Sequence, residues 1–372
     1  MPQNGSRLDA ALGRLLDRRL SRNQLRRLTI TPEGAADFSS NAYLSLSCQP
    51  AVQRAFLARL QTATSGSLLG SGGSRLLDGN STFATSLEDT IAAFHRAPAG
   101  LLFNSAMDAN TGLFSCVPQP GDAIVYDELI HASVHDGMRL SRASRIPFAH
   151  SRVWERNTEP DSAGKMQSLE AVLTSLLQRP DGSLFASGER SVFVAVEGVY
   201  SMDGDVAPLN EIVECVERCL PHRNGYVIVD EAHSTGIFGH RGRGLVCELG
   251  LEHRVWARVL GFGKAMGCAG ARQYLINYAR TLIYTTSMAF PSLASIETTY
   301  DFLATGQAEP LLQHLHLLIH ETHNLFVTLC SKHKPPNDVL RVNSQVPKSP
   351  IIPVFTRHPR SLATYCQARG FM

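Results

Sequence analysis

Residues 225–233 read Gly-Tyr-Val-Ile-Val-Asp-Glu-Ala-His, an apolar run that ends in two acids and a histidine. A short, continuous run of β-branched and aromatic residues predicts a strand that is buried on both faces. Asp230 then lies at the carboxyl end of a buried strand, where an unpaired carboxylate is costly. We therefore expect either a cationic ligand beside Asp230 or a local role in capping the following helix.

Similar apolar runs recur along the chain, between stretches with helical periodicity. The predicted strands cover 100–103, 123–126, 192–196, 227–229 and 255–260. The predicted helices cover 50–62, 83–96, a stretch beginning at 105, 128–140, 166–178 and 209–220. This alternation predicts an α/β fold, with a mostly parallel sheet that carries helices on both faces. Functional residues of such sheets collect at the carboxyl ends of the strands, where Asp127, Glu197 and Asp230 all lie.

The two ends of the chain differ from this central region. Residues 1–48 predict an amphipathic helix followed by a short strand and turn at 37–44. Because residues 1–30 hold seven arginines and two acids, the helix is either a mitochondrial presequence or a helix packed on the body. After residue 290 a smaller α+β domain is predicted, with helices at 292–304 and 310–331, a strand at 351–355 and a helix from 359. The predicted domains are 1–48, 49–290 and 291–372.

The composition describes an ordinary soluble globular chain of 372 residues, of which 44% are hydrophobic and 18% are charged. The 35 basic and 33 acidic residues leave a formal charge of +2, which gives no sign of a nucleic-acid partner. The eight cysteines are scattered, so we expect free thiols, no metal site and a reducing compartment such as the cytoplasm. No apolar run approaches the roughly 18 residues of a membrane span.

Lys264 is the unusual lysine of this chain. The sequence has five lysines against thirty arginines, and only Lys264 lies in an apolar, glycine-rich stretch, Leu260–Gly270. Burial there would lower the pKa of its amine and favour the neutral form, which a lysine needs to bond covalently to a carbonyl group. A reactive lysine, the strand-end Asp230 and the imidazole of His233 together indicate pyridoxal 5′-phosphate (PLP) as a cofactor.

Other polar residues follow predicted strands and are candidates for holding this cofactor. The flat ring of His131 could stack on a planar cofactor, and Ser105 opens a predicted helix whose free N–H groups suit a phosphate. The hydroxyl of Thr286 could reach the same phosphate from this or a partner subunit. His233 is placed to reach a phenolic oxygen of the cofactor or to hold Asp230, although a structural histidine is the simpler interpretation. The glycine-serine loop at 65–75 is either a flexible loop or a turn on the substrate side.

Seven stretches, in this order, resemble the α-oxoamine synthases, a branch of the fold-type I PLP enzymes. They are 39–44, 70–75, 127–133, 197–205, 229–236, 261–267 and 280–288. The resemblance covers nearly the whole chain. It implies a fold-type I PLP-dependent transferase with a mostly parallel sheet and a small, here truncated, C-terminal α+β domain. The run Ile-Tyr-Thr-Thr-Ser-Met at 283–288 is most similar to the biotin-pathway branch.

The resemblance also implies a role for each matching residue. Lys264 would bind PLP covalently, Asp230 would pair with its pyridine nitrogen and His131 would stack on its ring. The further cofactor contacts would be His233, Ser201, Ser105, Ala106, Met107 and, across a dimer interface, Thr286. The substrate contacts would be Asn41, Arg26, Arg27 and Ser74. Lys264, His131, Asp230 and His233 would form the catalytic set.

The reaction that the resemblance implies is a decarboxylative condensation, in a homodimer with its site at the subunit interface. An amino acid, L-alanine in the biotin branch, would react with an acyl thioester such as pimeloyl-CoA or pimeloyl-carrier protein. The acyltransferase product would be an α-amino ketone. Neither a nucleic acid nor a membrane span is expected.

Four features of the chain depart from the family pattern. Gly261 stands where the family usually has Thr or Ser, and Ala106-Met107 replaces a Gly-aromatic pair. A segment that usually forms a sheet strand after Ala271 is missing, which would expose strand edges beside Lys264, and the chain stops at Met372 before the family's carboxylate-binding arginine. Two alternatives therefore stand beside the first interpretation. One is another α-oxoamine synthase, of secondary-metabolism or sphingoid-base type, and the other is an inactive or truncated paralogue that acts as a partner subunit.

Overall fold

The structure is a computed structural model that describes residues 6–28, 30–62, 69–155, 166–261, 265–268 and 272–372. Contacts divide the chain into two units. The larger unit comprises Ala42–Asn324 and Gln345–Pro353, and the smaller unit comprises Met1–Asn41, Leu325–Ser344 and Val354–Met372. This division differs from the predicted boundaries at residues 48 and 290, and the three predicted domains stay a prediction. The predicted cofactor lysine, Lys264, lies outside the described residues.

A sheet of seven described strands forms the centre of the larger unit. Its strands are β1 (Gly100–Leu102), β2 (Ala123–Asp127), β3 (Ser144–Phe148), β4 (Val192–Glu197), β5 (Gly225–Asp230), β6 (Ala257–Val259) and β7 (Ala265–Cys268). Their order across the sheet is β1-β7-β6-β5-β4-β2-β3. β7 is antiparallel to both of its neighbours, and the other pairs are parallel. The predicted, mostly parallel sheet is confirmed, although β3 and β7 were not predicted.

Helices precede, separate and follow these strands along the chain. In the described ranges they are α1 (Arg7–Ser21), α2 (Pro50–Thr62), α3 (Thr82–Phe94), α4 (Ala106–Cys116), α5 (Ala132–Leu140), α6 (Leu169–Leu177), α7 (Gly182–Ala186), α8 (Leu209–Cys219), α9 (Leu245–Glu248), α10 (Arg272–Tyr278), α11 (Arg280–Ile283), α12 (Phe290–Ala304), α13 (Glu309–His333) and α14 (Pro359–Gln367). Short 3-10 turns lie at Leu46–Cys48 and His240–Gly242.

The side chains of β4 show why both faces of the sheet are covered. Val192, Val194 and Val196 point into a core that α6 and α8 complete. Phe193 and Ala195, on the opposite face, pack in a second core with residues of α4, α5 and α10. Successive side chains of a strand point to opposite faces, so a strand that is apolar at every position requires two helical layers.

Serine caps set the beginnings of several helices. The hydroxyl of Ser81 accepts the N–H of Ala84 at 3.1 Å, and that of Ser168 accepts the N–H of Ala171 at 3.2 Å. Such bonds satisfy N–H groups that have no partner within the helix. Ser81 and Ser168 are therefore the caps of α3 and α6.

β7 provides a strand just before the point in the chain where the sequence predicted that one is missing. Ala265–Cys268 pairs with β1 on one side and with β6 on the other. The expectation of exposed strand edges beside Lys264 is therefore wrong. Unpaired strand edges are a liability in a sheet. The residues that directly follow Lys264 pair with both β1 and β6, so neither of these strands has an unpaired edge there.

The smaller unit confirms some predicted elements and corrects others. α1 is a helix, begun by a capping box between Ser6 and Asp9, and none of its residues is buried. The predicted strand at 37–44 is wrong, because these residues form turns, and only an isolated bridge joins Ala36 to Phe371. β8 (Arg341–Val342) pairs with β9 (Val354–Phe355), which is the end of the predicted strand at 351–355.

Within the described ranges, each helix is too short or too polar to cross a lipid bilayer.

Glu88 is a buried carboxylate that joins several segments of the larger unit. Its side chain, on α3, is 1% exposed and accepts the N–H of Leu102 at 2.8 Å. Nη1 of Arg75 lies 2.5 Å from Oε1, and Nη2 of Arg272 lies 2.9 Å from Oε2. Arg272 also donates to the carbonyl of Gly100 at 3.0 Å. Glu88 thus ties β1 to the glycine-serine loop and to the beginning of α10.

We expect Glu88→Gln to lower the free energy of unfolding by about 3 kcal/mol, because two partly buried guanidinium groups lose their buried counter-ion. Urea unfolding followed by circular dichroism checks this value. Asp89→Asn, on the exposed side of the same helix, is the matched control and should change the free energy of unfolding by less than about 0.5 kcal/mol. Equal effects of the two substitutions would contradict the role assigned to Glu88.

Candidate active site

Three neighbouring strands end in carboxylates at one edge of the sheet. β2, β4 and β5 lie side by side and end at Asp127, Glu197 and Asp230. Glu197 is directly opposite Asp230 in the strand register. The exposed fractions are 0% for Asp127, 3% for Glu197 and 6% for Asp230. Carboxylates that are so close together and removed from water require protons or positive partners.

Asp230 is held by neutral donors. Nδ2 of Asn110 donates to Oδ2 at 2.7 Å, and the N–H of Ala232 donates to Oδ1 at 2.9 Å. The contact with Ala232 closes a local turn, but the next helical element begins only at His240, so the prediction that Asp230 caps a following helix is wrong. Burial raises the pKa of Asp230, while the two hydrogen bonds and the nearby imidazoles of His131 and His233 lower it. Because no ion pair of Asp230 is found in the described part of the chain, a cationic ligand would stabilise its ionised form.

Hydrogen bonds connect Asp230 to His131 through two residues. Asn110 Nδ2 also donates to the hydroxyl of Ser133 at 2.9 Å, and this hydroxyl lies 2.7 Å from Nδ1 of His131. The N–H of Ser133 donates to the same Nδ1 at 3.2 Å. Since Nδ1 accepts from the backbone, the proton of the neutral imidazole is on Nε2. His131 is the N-cap of α5 and is exposed, so its ring is oriented by the protein and remains accessible to a ligand.

His233 lies just after β5, and its ring is oriented by a tyrosine. The hydroxyl of Tyr43 is 2.9 Å from Nδ1 of His233. Burial raises the pKa of Tyr43 to about 12, and burial also lowers the pKa of His233. Both groups are therefore neutral near pH 7. Nε2 of His233 is the ring nitrogen that this contact leaves available for a ligand.

Glu197 lies between the segments that carry His131 and Ser201. The pKa of Glu197 is raised to about 8, mainly by burial and to a smaller extent by the charge of Asp230. Hydrogen bonds from the backbone of His131 and Ser201 oppose this rise. Glu197 is therefore largely protonated near pH 7. A protonated carboxyl avoids a second negative charge beside Asp230.

The first turn of α4 offers backbone N–H groups at the end of β1. The hydroxyl of Ser105 caps this helix by accepting the N–H of Asp108 at 2.9 Å. The N–H groups of Ala106 and Met107 come before that position and have no acceptor within the helix. This geometry suits a phosphate group.

The glycine-serine loop and the segment around Thr286 are joined by hydrogen bonds. Ser74 and Thr286 form an isolated bridge, and the N–H of Ser287 donates to the carbonyl of Gly73 at 2.9 Å. Nδ2 of Asn104 donates to the carbonyl of Thr286 at 2.8 Å. From residue 69 onward the loop is therefore a fixed turn. Thr286 itself is exposed, whereas Ser74 is buried.

The positions of four predicted site residues relative to this edge stay untested. Lys264 lies outside the described residues, although the strand that it directly precedes, β7, lies between β1 and β6. Arg26, Arg27 and Asn41 belong to the smaller unit, where all three are exposed. Their roles stay predictions.

The close packing of Gly261 accounts for one departure from the family pattern. A Cβ atom at this position would lie 2.5 Å from Cα of Ala232 and 2.8 Å from its carbonyl oxygen. Real Cβ atoms do not approach backbone so closely. The Thr or Ser that usually stands here would therefore displace the turn between Asp230 and His233.

The sequence did not identify three residues that orient the site. Tyr43 belongs to the quoted stretch 39–44 and Ser133 to the stretch 127–133, but neither stretch assigned them a contact. Asn110 left one weak signal, an amide among small and apolar residues of α4. Its partners come from β5 and α5, so only the tertiary structure reveals them.

Comparison with known proteins identifies the family of the chain. Residues 34–298 match the aminotransferase class I and II family. The chain belongs to this family.

Named relatives place the chain more closely within the aminotransferase class I and II family. The 8-amino-7-oxononanoate synthase of Emericella nidulans is 50% identical, over 97% of this chain and 85% of its own length. The aminoacyl transferase sphA of Aspergillus fumigatus is 41% identical, over 76% of this chain and 59% of its own length. The resemblance to the α-oxoamine synthases is confirmed.

Two solved structures share the fold. Sphingomonas wittichii serine palmitoyltransferase superposes with a TM-score of 0.77 at 24% identity, covering 99% of this chain and 88% of its own. The 8-amino-7-oxononanoate synthase of Francisella tularensis gives a TM-score of 0.65 at 24% identity, covering 92% of this chain and 88% of its own. At this identity the likeness concerns the fold alone, and it confirms the fold-type I PLP transferase architecture.

PLP is the cofactor of this family, and the described residues of this family member fit it at two places. Asp230 is a buried carboxylate whose described partners are neutral donors, as a pyridinium nitrogen requires. The N–H groups of Ala106 and Met107 are placed for a phosphate at the N-terminus of α4. The donor set therefore agrees with the cofactor.

We expect Asp230→Asn to stabilise the PLP-free protein, increasingly so as the pH rises. A raised pKa means that the folded state holds the proton of Asp230 more tightly than the unfolded state. The stability of the wild-type protein then falls as the pH rises above 3.8, the ordinary value of this group. Urea unfolding of the two proteins at about pH 5 and about pH 8 measures the difference. Asp78→Asn, at an exposed site, is the control.

A wild-type protein that is more stable than Asp230→Asn at the higher pH would contradict this sign. Asn110 can accommodate the substitution, because its Oδ1 has no hydrogen-bond partner among the described atoms and the amide can turn to accept.

Proposed function

We propose that this chain is a PLP-dependent 8-amino-7-oxononanoate synthase. It would condense L-alanine with pimeloyl-CoA or pimeloyl-carrier protein and release the thiol and CO2. The identity of 50% to the Emericella nidulans enzyme over 97% of this chain is the observation that carries the proposal. The arrangement of Asp127, Glu197 and Asp230 at one sheet edge supports it.

In this proposal, Lys264 holds PLP covalently and moves the α-proton of the amino acid. Bound PLP supplies an electron sink for the carbon that loses this proton. Asp230, kept ionised by a pyridinium partner, would hold the ring nitrogen protonated. His131 would stack on the ring, since Ser133 fixes its orientation and its surface is accessible.

Other residues of the chain would supply the remaining cofactor contacts. Nε2 of His233 and the hydroxyl of Ser201 would contact the ring substituents. The N–H groups of Ala106 and Met107, with the hydroxyl of Ser105, would hold the phosphate. Thr286 would complete the phosphate site from the partner subunit of a homodimer.

The substrates carry carboxylates, which need cationic or amide donors. Arg26, Arg27 and Asn41 would serve these groups, because guanidinium groups bind carboxylates with paired hydrogen bonds. Ser74, in the part of the glycine-serine loop that is bridged to Thr286, would contact the substrates. The free state of the described cysteines supports a reducing compartment, which we propose to be the cytoplasm, with an organelle as the alternative.

A second candidate function is another α-oxoamine synthase with a different amino acid and acyl group. The identity of 41% to an aminoacyl transferase named sphA favours this candidate. The third interpretation is a paralogue without activity that serves as a partner subunit. Gly261 and the shortened segment after β7 are the features that favour it.

We expect the purified protein to show the visible absorption band of lysine-bound PLP and to lose it in Lys264→Ala. Borohydride should fix the cofactor to the wild-type chain by reducing its bond to the lysine. Lys332→Ala, at an exposed site on α13, should behave as wild type. A wild-type protein without this band would support the inactive paralogue.

We expect L-alanine with pimeloyl-CoA to give 8-amino-7-oxononanoate, CoA and CO2 in equal amounts. Mass spectrometry of the product and a thiol assay measure this. Serine and glycine, with the same thioester, should react at least about 100-fold more slowly, because a pocket for a methyl side chain discriminates by this order. A preference for serine or a long acyl chain would replace the proposal with the second candidate.

A further inference from the structure

An imidazole lies between two carboxylates beside the proposed site. His150 follows β3, and its Nδ1 is 2.8 Å from Oδ1 of Asp127. Its Nε2 is 2.8 Å from Oδ2 of Asp205. The ring also meets that of Tyr200 edge-on, with the centroids 4.5 Å apart. The sequence assigned no role to His150.

The geometry requires a positively charged ring. Each ring nitrogen faces a carboxylate oxygen, and an ionised carboxylate only accepts, so both nitrogens carry protons. Asp127 also accepts the N–H groups of Leu129 and Ser151 at 2.9 Å, so its oxygens act as acceptors in each of these contacts. Burial alone would lower the pKa of His150, but the hydrogen bonds and charges of Asp127 and Asp205 raise it to about 10.

The two carboxylates belong to different segments of the proposed site. Asp127 ends β2, and His131 begins α5 after the following turn. Asp205 lies in the hairpin Val199–Val206, which carries Ser201 and is closed by a bridge between Val199 and Val206. Glu197 lies between these segments. His150 therefore connects the turn that carries His131 to the hairpin that carries Ser201.

The hairpin has a second attachment that does not involve His150. The hydroxyl of Ser349 donates to the carbonyl of Gly204 at 2.5 Å. Gly204 has a φ of +70°, and a Cβ atom there would lie 2.3 Å from the carbonyl oxygen of Ile351. The N–H of Tyr200 also donates to the carbonyl of Asp205 at 3.0 Å. Loss of the imidazole should therefore loosen the hairpin without unfolding the chain.

We propose that His150 is a positioning residue, whose ring holds the Ser201 hairpin against the His131 turn through Asp205 and Asp127. The roles of Ser201 and His131 rest on the proposed function. His150 itself is not among the residues proposed to contact the cofactor or the substrates. It acts by fixing the separation of two groups that must contact one ring, and small displacements of such groups are costly.

Hydrogen exchange of the PLP-free protein tests the contact without any activity. In His150→Gln, the amides of peptides that cover 199–206 should exchange about tenfold faster, because a charge-assisted bond of the hairpin is lost. His253→Gln, at an exposed turn, is the matched control and should leave these peptides unchanged. Asp205→Asn keeps an acceptor for Nε2 but removes one charge, so it should give a smaller increase in the same peptides.

Steady-state kinetics of the PLP-loaded protein test the consequence. We expect His150→Gln to lower kcat/KM for L-alanine by about 10-fold to 100-fold and to weaken PLP binding. The double variant His150→Gln with Asp205→Asn should be no worse than His150→Gln alone, because both changes break one contact. Additive losses in the double variant would overturn the proposed coupling.

The two experiments separate this proposal from the proposed function. Wild-type exchange of 199–206 in both His150→Gln and Asp205→Asn would overturn the positioning role, whatever the activity. A wild-type protein without synthase activity would overturn the proposed function, while faster hairpin exchange in His150→Gln would still support the contact. Faster exchange together with unchanged kcat/KM and PLP affinity would reduce His150 to a structural residue and overturn the proposal.

Discussion

Three buried carboxylates at the ends of neighbouring parallel strands are the constraint on which this site depends. Asp127, Glu197 and Asp230 are nearly inaccessible to water and lie side by side. The structure meets their electrostatic cost in three different ways. Asp127 receives an imidazolium, Glu197 keeps a proton near pH 7, and Asp230 receives neutral donors that leave its charge to be balanced by a ligand. Only the third arrangement leaves a charge for a cationic ligand to balance, and in the proposed function the pyridinium nitrogen of PLP would be that cation.

A set of hydrogen bonds orients His131 and His233, the two histidines of the proposed site. Ser133 and Asn110 connect His131 to Asp230, and Tyr43 orients His233. Asn110 and Ser133 belong to α4 and α5, and such elements hold groups more accurately than mobile loops do. Further from the edge, Glu88 joins α3, β1 and α10. This buried contact connects the shortened region after β7 to the rest of the sheet.

Much of this architecture was predictable because it rests on local pattern. The apolar run before Asp230 predicted a buried parallel strand, and that strand is β5. β3 was not predicted because its sequence, Ser144-Arg-Ile-Pro-Phe148, is only partly apolar, as suits the outermost strand of a sheet. β7 was not predicted because the family pattern placed a strand after Ala271, whereas the sheet recruits Ala265–Cys268. The leucines of α1 predicted a helix but not its exposure.

Three features could be predicted from the amino-acid sequence: the fold class, the strand-end carboxylates and the order of motifs that indicate PLP. These features follow from side-chain period and from residues close together in the chain. The tertiary structure alone decided that His150 lies between Asp127 and Asp205, that Asn110 supports Asp230, and that β7 fills the sheet beside β1. Each of these contacts joins residues far apart in sequence. Their energies depend on burial and on the distance between charges, which exist only once the chain is folded.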